Sequence, residues 1–144
     1  MKIRIVVCDS SRMRYFAKDQ DSGVLHEIAD RVHEASRQRI QDIASDRPGR
    51  DRGRDGGSGA HSLNDNREVH SHTVGLFARE VAEVLNSDAL AGEIIRLYIL
   101  APPEFLGMLR KELHPVTAAL TTDKAVNVVE ESLDKIRRQL PAAL

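Results

Sequence analysis

The chain has 144 residues, of which 41% are hydrophobic and 30% charged, with a formal net charge of −1. Those values belong to one globular domain able to bury a real core, and they exclude a disordered or low-complexity chain. A protein that binds nucleic acid over its whole surface is strongly basic, so any such contact here has to come from a local patch.

With three Phe, two Tyr and no Trp, the core has to be built from Val, Ile, Leu and Ala. The lone Cys8 excludes an intramolecular disulfide and a Cys-based zinc site, which suits a reducing compartment. The opening MKIRIVVCDSSRMR is broken by charge too early for an export signal. No stretch of about 20 apolar residues is present to span a membrane. The expectation is a cytoplasmic protein with no membrane contact.

Ile3 to Cys8 is a short β-branched run closed by Asp9-Ser10-Ser11, which predicts a buried strand ending in a turn. Arg12 to Ala17 alternates, and the short connection makes it an antiparallel partner of the first strand. Lys18 to Gly23 has turn composition, and Val24 to His33 reads as a third strand. From about Ser36 to Asn66 the apolar signal nearly vanishes, which predicts a long mobile loop rich in Arg, Asp and Gly.

Order returns at Arg67. Val74, Phe77, Ala78, Val81, Ala82 and Leu85 recur at helical spacing, so a helix is predicted over Arg67 to Asn86, capped by Asn64, Asp65 or Asn66. Ile94 to Leu100 is apolar on both faces apart from Arg96 and reads as a central strand. Pro102 and Pro103 open a helix whose buried stripe is Phe105, Leu106, Leu109 and Leu113. Val116 to Thr121 reads as a last strand. Thr122 or Asp123 then caps a final helix with Val129, Leu133, Ile136 and Leu140 facing inward. The order β-β-β-loop-α-β-α-β-α predicts one α/β domain over residues 1–144, a mixed sheet of about five strands with helices packed against it.

Three clusters carry possible chemistry. Arg47, Arg50, Arg52 and Arg54 are interleaved with Asp46, Asp51 and Asp55 and followed by Gly56, Gly57 and Ser58. Guanidinium groups suit phosphate, and glycines let a backbone approach an RNA strand. The same mixed charge run also reads as a solvated linker. Asp9, Ser10 and Arg12 stand at the end of the first strand, where α/β sheets commonly hold ligands, although Asp9 and Ser10 also suit the turn itself. His61, His70 and His72 lie near Asp65 and Glu68, but His70 and His72 are two apart and diverge on a helix, so no metal site is predicted. The anion-binding potential of the helix start after Leu100 is weakened by two prolines that lack N–H groups. No Walker loop, GxSxG motif or paired carboxylates appear, and neither a catalytic residue nor a cofactor is predicted. A hydrolase using Asp9, Ser58 or the histidines is the least supported reading.

Four segments together, VVCDSSRMRYF (Val6 to Phe16), SDRPGR (Ser45 to Arg50), LFAREVAEVLN (Leu76 to Asn86) and LYILAPPEFLGMLRKEL (Leu97 to Leu113), resemble the bacterial host attachment proteins. That resemblance implies a cytoplasmic protein associated with attachment to host cells. The stretch TTDKAVNVVEESL departs from the family, which often carries a Lys-Asp-Leu-like run there. The family is in turn similar to the middle domain of archaeal and eukaryotic peptide chain release factors, in which a Gly-Gly-Gln loop leads into a long helix. Here Gly56-Gly57-Ser58 stands at that place and the glutamine is missing, so peptidyl-tRNA hydrolysis is not implied. What the resemblance implies is a loop facing the ribosome, tRNA or other RNA. The alternative from the residues is a module whose loop folds on a protein partner. The sequence fixes no oligomeric state.

Overall fold

In the computed structural model, residues 2–33 and 59–142 are described, with the backbone course alone for residues 59–70. The Arg/Gly stretch from Arg47 to Ser58 therefore lies outside the described residues. Strands β1 (Lys2–Cys8), β2 (Arg12–Lys18) and β3 (Leu25–Val32) form an antiparallel meander. Its first turn is closed by Asp9, whose Oδ1 accepts from the backbone N–H groups of Ser11 (2.8 Å) and Arg12 (2.9 Å). In the second turn the Gly23 N–H donates to the Asp19 carbonyl at 2.8 Å, with Gly23 at φ +74°, a conformation that glycine adopts without steric penalty.

Helix α1 (Gly59–Leu90) follows, then β4 (Ile94–Ala101), α2 (Pro103–Glu112), α3 (Pro115–Leu120), β5 (Thr121–Ala125) and α4 (Leu133–Arg138). The five strands make one mixed sheet in the order β3-β2-β1-β4-β5, with β4 parallel to both β1 and β5. The α/β class and the five-stranded mixed sheet agree with the sequence reading.

Strand alternation divides the core in two. On one face Val6, Cys8, Met13, Leu97 and Ile99 meet Phe77, Val81 and Leu85 of α1 and Phe105, Leu106 and Leu109 of α2. On the other, Ile5, Val7, Phe16, Tyr98 and Leu100 meet Val128, Val129, Ile136 and Leu140. Two arginines fasten this second layer. Arg14 Nη1 donates to the carbonyls of Val129 (3.0 Å) and Glu131 (2.9 Å), and its guanidinium carbon lies 5.2 Å from the Phe16 ring centre. Arg12 donates to both Asp30 oxygens (2.9 and 2.6 Å) and to Glu130 (3.2 Å).

Three element boundaries correct the sequence reading. The predicted strand Val116 to Thr121 is instead α3, because Pro115 at its first position favours a helix and His114 Nδ1 caps it by accepting from the Val116 N–H at 3.1 Å. The last strand is Thr121–Ala125, and Thr122 and Asp123 sit inside it rather than capping a helix. Ser132 caps α4 instead, accepting from the Lys135 N–H at 3.3 Å. Leu133, expected inside, is 37% exposed.

Helix α1 also begins earlier than predicted, so Asn64, Asp65 and Asn66 lie within it, as does the 59–66 end of the predicted loop. It runs past Asn86 as well, because that side chain serves tertiary contacts rather than a cap. Asn86 Nδ2 donates to the Glu112 carbonyl (3.1 Å), and its Oδ1 accepts from the His114 N–H (2.9 Å). The helix closes at Gly92, φ +77°. Among the described residues, no helix is long and apolar enough to cross a membrane.

Candidate functional site

The three parallel strands β1, β4 and β5 end at one pole of the sheet. The chain leaves β1 towards β2 and leaves β4 towards β5, in opposite directions along the sheet. Connections that diverge in this way open a crevice at the carboxyl ends of the strands, and a cleft of about 210 Å³ is found there. It is lined by Asp9 and Ser10 after β1, by Pro102, Glu104, Phe105 and Met108 at the start of α2, by Asn127 after β5, and by Ser71 and Val74 of α1.

Each lining group is held by its own element. Asp9 is half-buried and fixed by the two turn amides, so its carboxylate keeps its place as part of the backbone turn. Glu104 stands in the first turn of α2, where the helix dipole favours a negative charge. Phe105 is almost fully buried and forms the apolar base with Val74. The cleft therefore offers two carboxylates, two serine hydroxyls and one amide over an apolar floor. Among the described residues no Lys or Arg lines it, so the charge of its described lining disfavours a phosphate group. Among the described residues no three His, Cys, Asp or Glu side chains gather as a metal site.

His33, at the end of β3, ties the meander to this pole. It is buried, its ring stacks on Phe77 at 4.7 Å, and its Nδ1 meets the Ser10 carbonyl at 3.1 Å. A carbonyl only accepts, so Nδ1 carries the proton. The His33 N–H also donates to the Ser11 carbonyl at 2.7 Å.

Of the sequence candidates, Asp9 and Ser10 reach the cleft, and Asp9 also makes the turn. Arg12 does not join them. It lies on the second face of the sheet, where its hydrogen bond to Asp30 is the main reason that carboxyl is held below the usual carboxylate range. Arg47, Arg50, Arg52, Arg54, Gly56, Gly57 and Ser58 lie outside the described residues, as do the side chains of His61, Asp65, Glu68 and His70; His72 is exposed. Sequence reasoning missed His33, Ser71, Glu104 and Asn127. They come from four separate elements and meet only through the sheet order. His33 alone carried a local signal, as the residue that closes the third strand.

No curated protein sequence matches the chain. Among solved structures it is similar to the Ppx/GppA phosphatase of Aquifex aeolicus, with 12% identity over 87% of this chain and a TM-score of 0.39. The chain spans only 36% of that protein's length, and at this level the likeness bears on neither mechanism nor substrate. The family comparison is of another order. Residues 4–140 match the family described as "protein required for attachment to host cells", and the chain belongs to that family.

Proposed function

We propose that this member of the host attachment family contacts RNA, with ribosomal RNA or tRNA as the class of target. Arg47, Arg50, Arg52 and Arg54 would neutralise phosphates, and Gly56, Gly57 and Ser58 would lead the strand towards α1. One observation supports the reading above the others: the described chain on each side of the Arg/Gly stretch touches the pole that carries the cleft. His33, the last described residue before it, bonds to Ser10 and Ser11, and α1, which follows it, passes the cleft at Ser71 and Val74, about three turns from its start.

The division of charge fits RNA chemistry. Arginine forks match phosphate oxygens, whereas Asp9 and Glu104 repel phosphate and are acceptors for the amino groups on a base edge. Single-stranded RNA offers both, a charged backbone and bases splayed out of a stack. The release-factor resemblance points the same way, without the hydrolysis that its missing glutamine would serve.

The test is fluorescence anisotropy with a labelled single-stranded RNA between 50 and 200 mM salt. If each of the four arginines neutralises one phosphate, affinity falls about 50-fold over that range, from the single-strand slope of about −0.7 per phosphate. Replacing all four by Ser removes that slope. Binding that ignores salt, or that survives the replacement, overturns the proposal. A partner recovered from lysate that persists after nuclease treatment would assign the segment to protein recognition instead.

A further inference from the structure

A second cavity, of about 360 Å³, lies on the opposite face of the sheet, between the β4–β5 edge and the end of α4. We propose that it binds a small phosphorylated molecule with a flat body, the chemical class of a nucleoside monophosphate. The inference is independent of the RNA reading, since it uses neither the cleft nor the Arg/Gly stretch.

The floor is apolar and partly aromatic. Tyr98 and Leu100 project from β4 onto this face, and Leu140 and Pro141 close it from the end of α4. The rim is cationic. Lys124, on the exposed edge strand, and Arg138, in the last turn of α4, line the cavity and are both exposed. Neither forms an ion pair with any described residue. Two unpaired positive charges match a phosphate dianion better than a single carboxylate. Thr122 and Gln139 add a hydroxyl and an amide beside them, groups able to read a polar ring edge.

The one acid in the lining does not oppose this. Asp123 is claimed by Arg110, which donates to both of its oxygens at 2.9 and 2.6 Å. Further cations reinforce the field. Arg96 Nη1 stands 3.5 Å from the Tyr98 hydroxyl. Arg137, next to Arg138, has its Nη1 buried with no hydrogen-bond partner among the described residues. The size lies within the range of small-molecule sites, about 300–1,000 Å³, and an apolar base with a few convergent polar groups is their common form.

The test is a titration of the full chain with adenosine monophosphate, followed by amide chemical shifts, with adenosine and inorganic phosphate run separately. The expected result is saturable movement of the amides of residues 122–124 and 138–140. Adenosine and phosphate are each expected to bind at least about tenfold more weakly, the weight of one charge-assisted hydrogen bond. Lys124→Ala and Arg138→Ala should each cost a similar factor, and Lys124→Arg should recover most of it. Both side chains are exposed and pair with no described residue, so an unchanged melting temperature serves as the folding control. Movement confined to Asp9, Ser10, Glu104 and Phe105, equal binding by the double alanine variant, or no saturable movement overturns the proposal.

Discussion

Tyr15 gives the sharpest test of how the sheet is joined to α1. Its ring is buried among the first core cluster, and its hydroxyl donates to Asp88 Oδ2 at 2.8 Å. Tyr15→Phe keeps the ring and deletes the hydroxyl, and with it the bond to Asp88 and the contact with Arg4. A hydrogen bond to a charged group is worth about 1.5–3 kcal/mol. Asp88 is only half-buried and recovers water when the donor is lost, which puts the loss at the lower end, about 1.5 kcal/mol. For a chain of this length that is a fall of about 5 °C in melting temperature.

The pH dependence separates this bond from a packing effect. Burial pushes the Tyr15 hydroxyl well above the ordinary phenol range; the hydrogen bond to Asp88 and that carboxylate's charge push it further, with Arg4 opposing. The unfolded chain releases the proton near pH 10 while the folded chain retains it. The stability Tyr15 contributes is therefore fully present below about pH 10 and is lost as pH rises towards the folded value. Urea unfolding at pH 7 and between pH 9 and 11 reads both effects. The phenylalanine variant should be weaker at pH 7 and should have a flatter alkaline arm. A variant within about 0.5 kcal/mol of the parent, with the same alkaline slope, would refute the assignment, since that is the usual size of a neutral surface change.

Two glycines should respond with opposite sign to alanine. Gly92 lies at φ +77° with open space around a built Cβ, so Gly92→Ala carries only the left-handed backbone penalty and loses about 1 kcal/mol. Gly107, inside α2, also has open space and no positive φ, so its replacement gains about 0.5–1 kcal/mol. Equal signs in thermal unfolding would refute the conformational account. In acid, Asp30 and Asp123 are held below the usual carboxylate range, chiefly by hydrogen bonds from Arg12 and Arg110. Their contribution is present above about pH 4 and is lost as pH falls through the lowered folded values. Asp123→Asn should flatten that acid arm, and superimposable curves would count against the Arg110 pair.

Where the chain has a buried apolar period, the sequence is legible. Val6, Val7 and Cys8 mark β1, Leu97 to Leu100 mark β4, and Phe77, Val81 and Leu85 mark the packed half of α1, because each repeats with the period of its element. The reading fails where burial is absent. Strand β5 reads Thr-Thr-Asp-Lys-Ala because it is an exposed edge, and the start of α1 has only Ala60, Leu63 and Val69 as apolar residues before Val74. Asp9 is legible as a lining residue of the cleft because a strand visibly ends there. Arg12, three residues later, misleads because the turn reverses the chain and β2 aligns it with Arg14 on the far face. Glu104 and Asn127 give no local signal at all, since only the β1-β4-β5 order brings them to Asp9.

The segment 126–131 shows why the two cavities belong to one design. The Val126 N–H donates to the Ala101 carbonyl at 2.9 Å, which extends the β4–β5 ladder by one residue. The chain then passes Asn127 at the rim of the cleft and buries Val128 and Val129 on the second face. Arg14 and Arg12 of β2 grip Val129, Glu130 and Glu131. This strap thus spans from the β5 edge to β2 and sets down α4, whose last turn walls the cationic cavity. Arg12 and Arg14, conspicuous in the sequence as charged residues on a short strand, act by fixing the strap on which both lining sets depend. Both proposals draw on groups with no hydrogen-bond or ion-pair partner among the described residues: Glu104 at one end, Lys124 and Arg138 at the other.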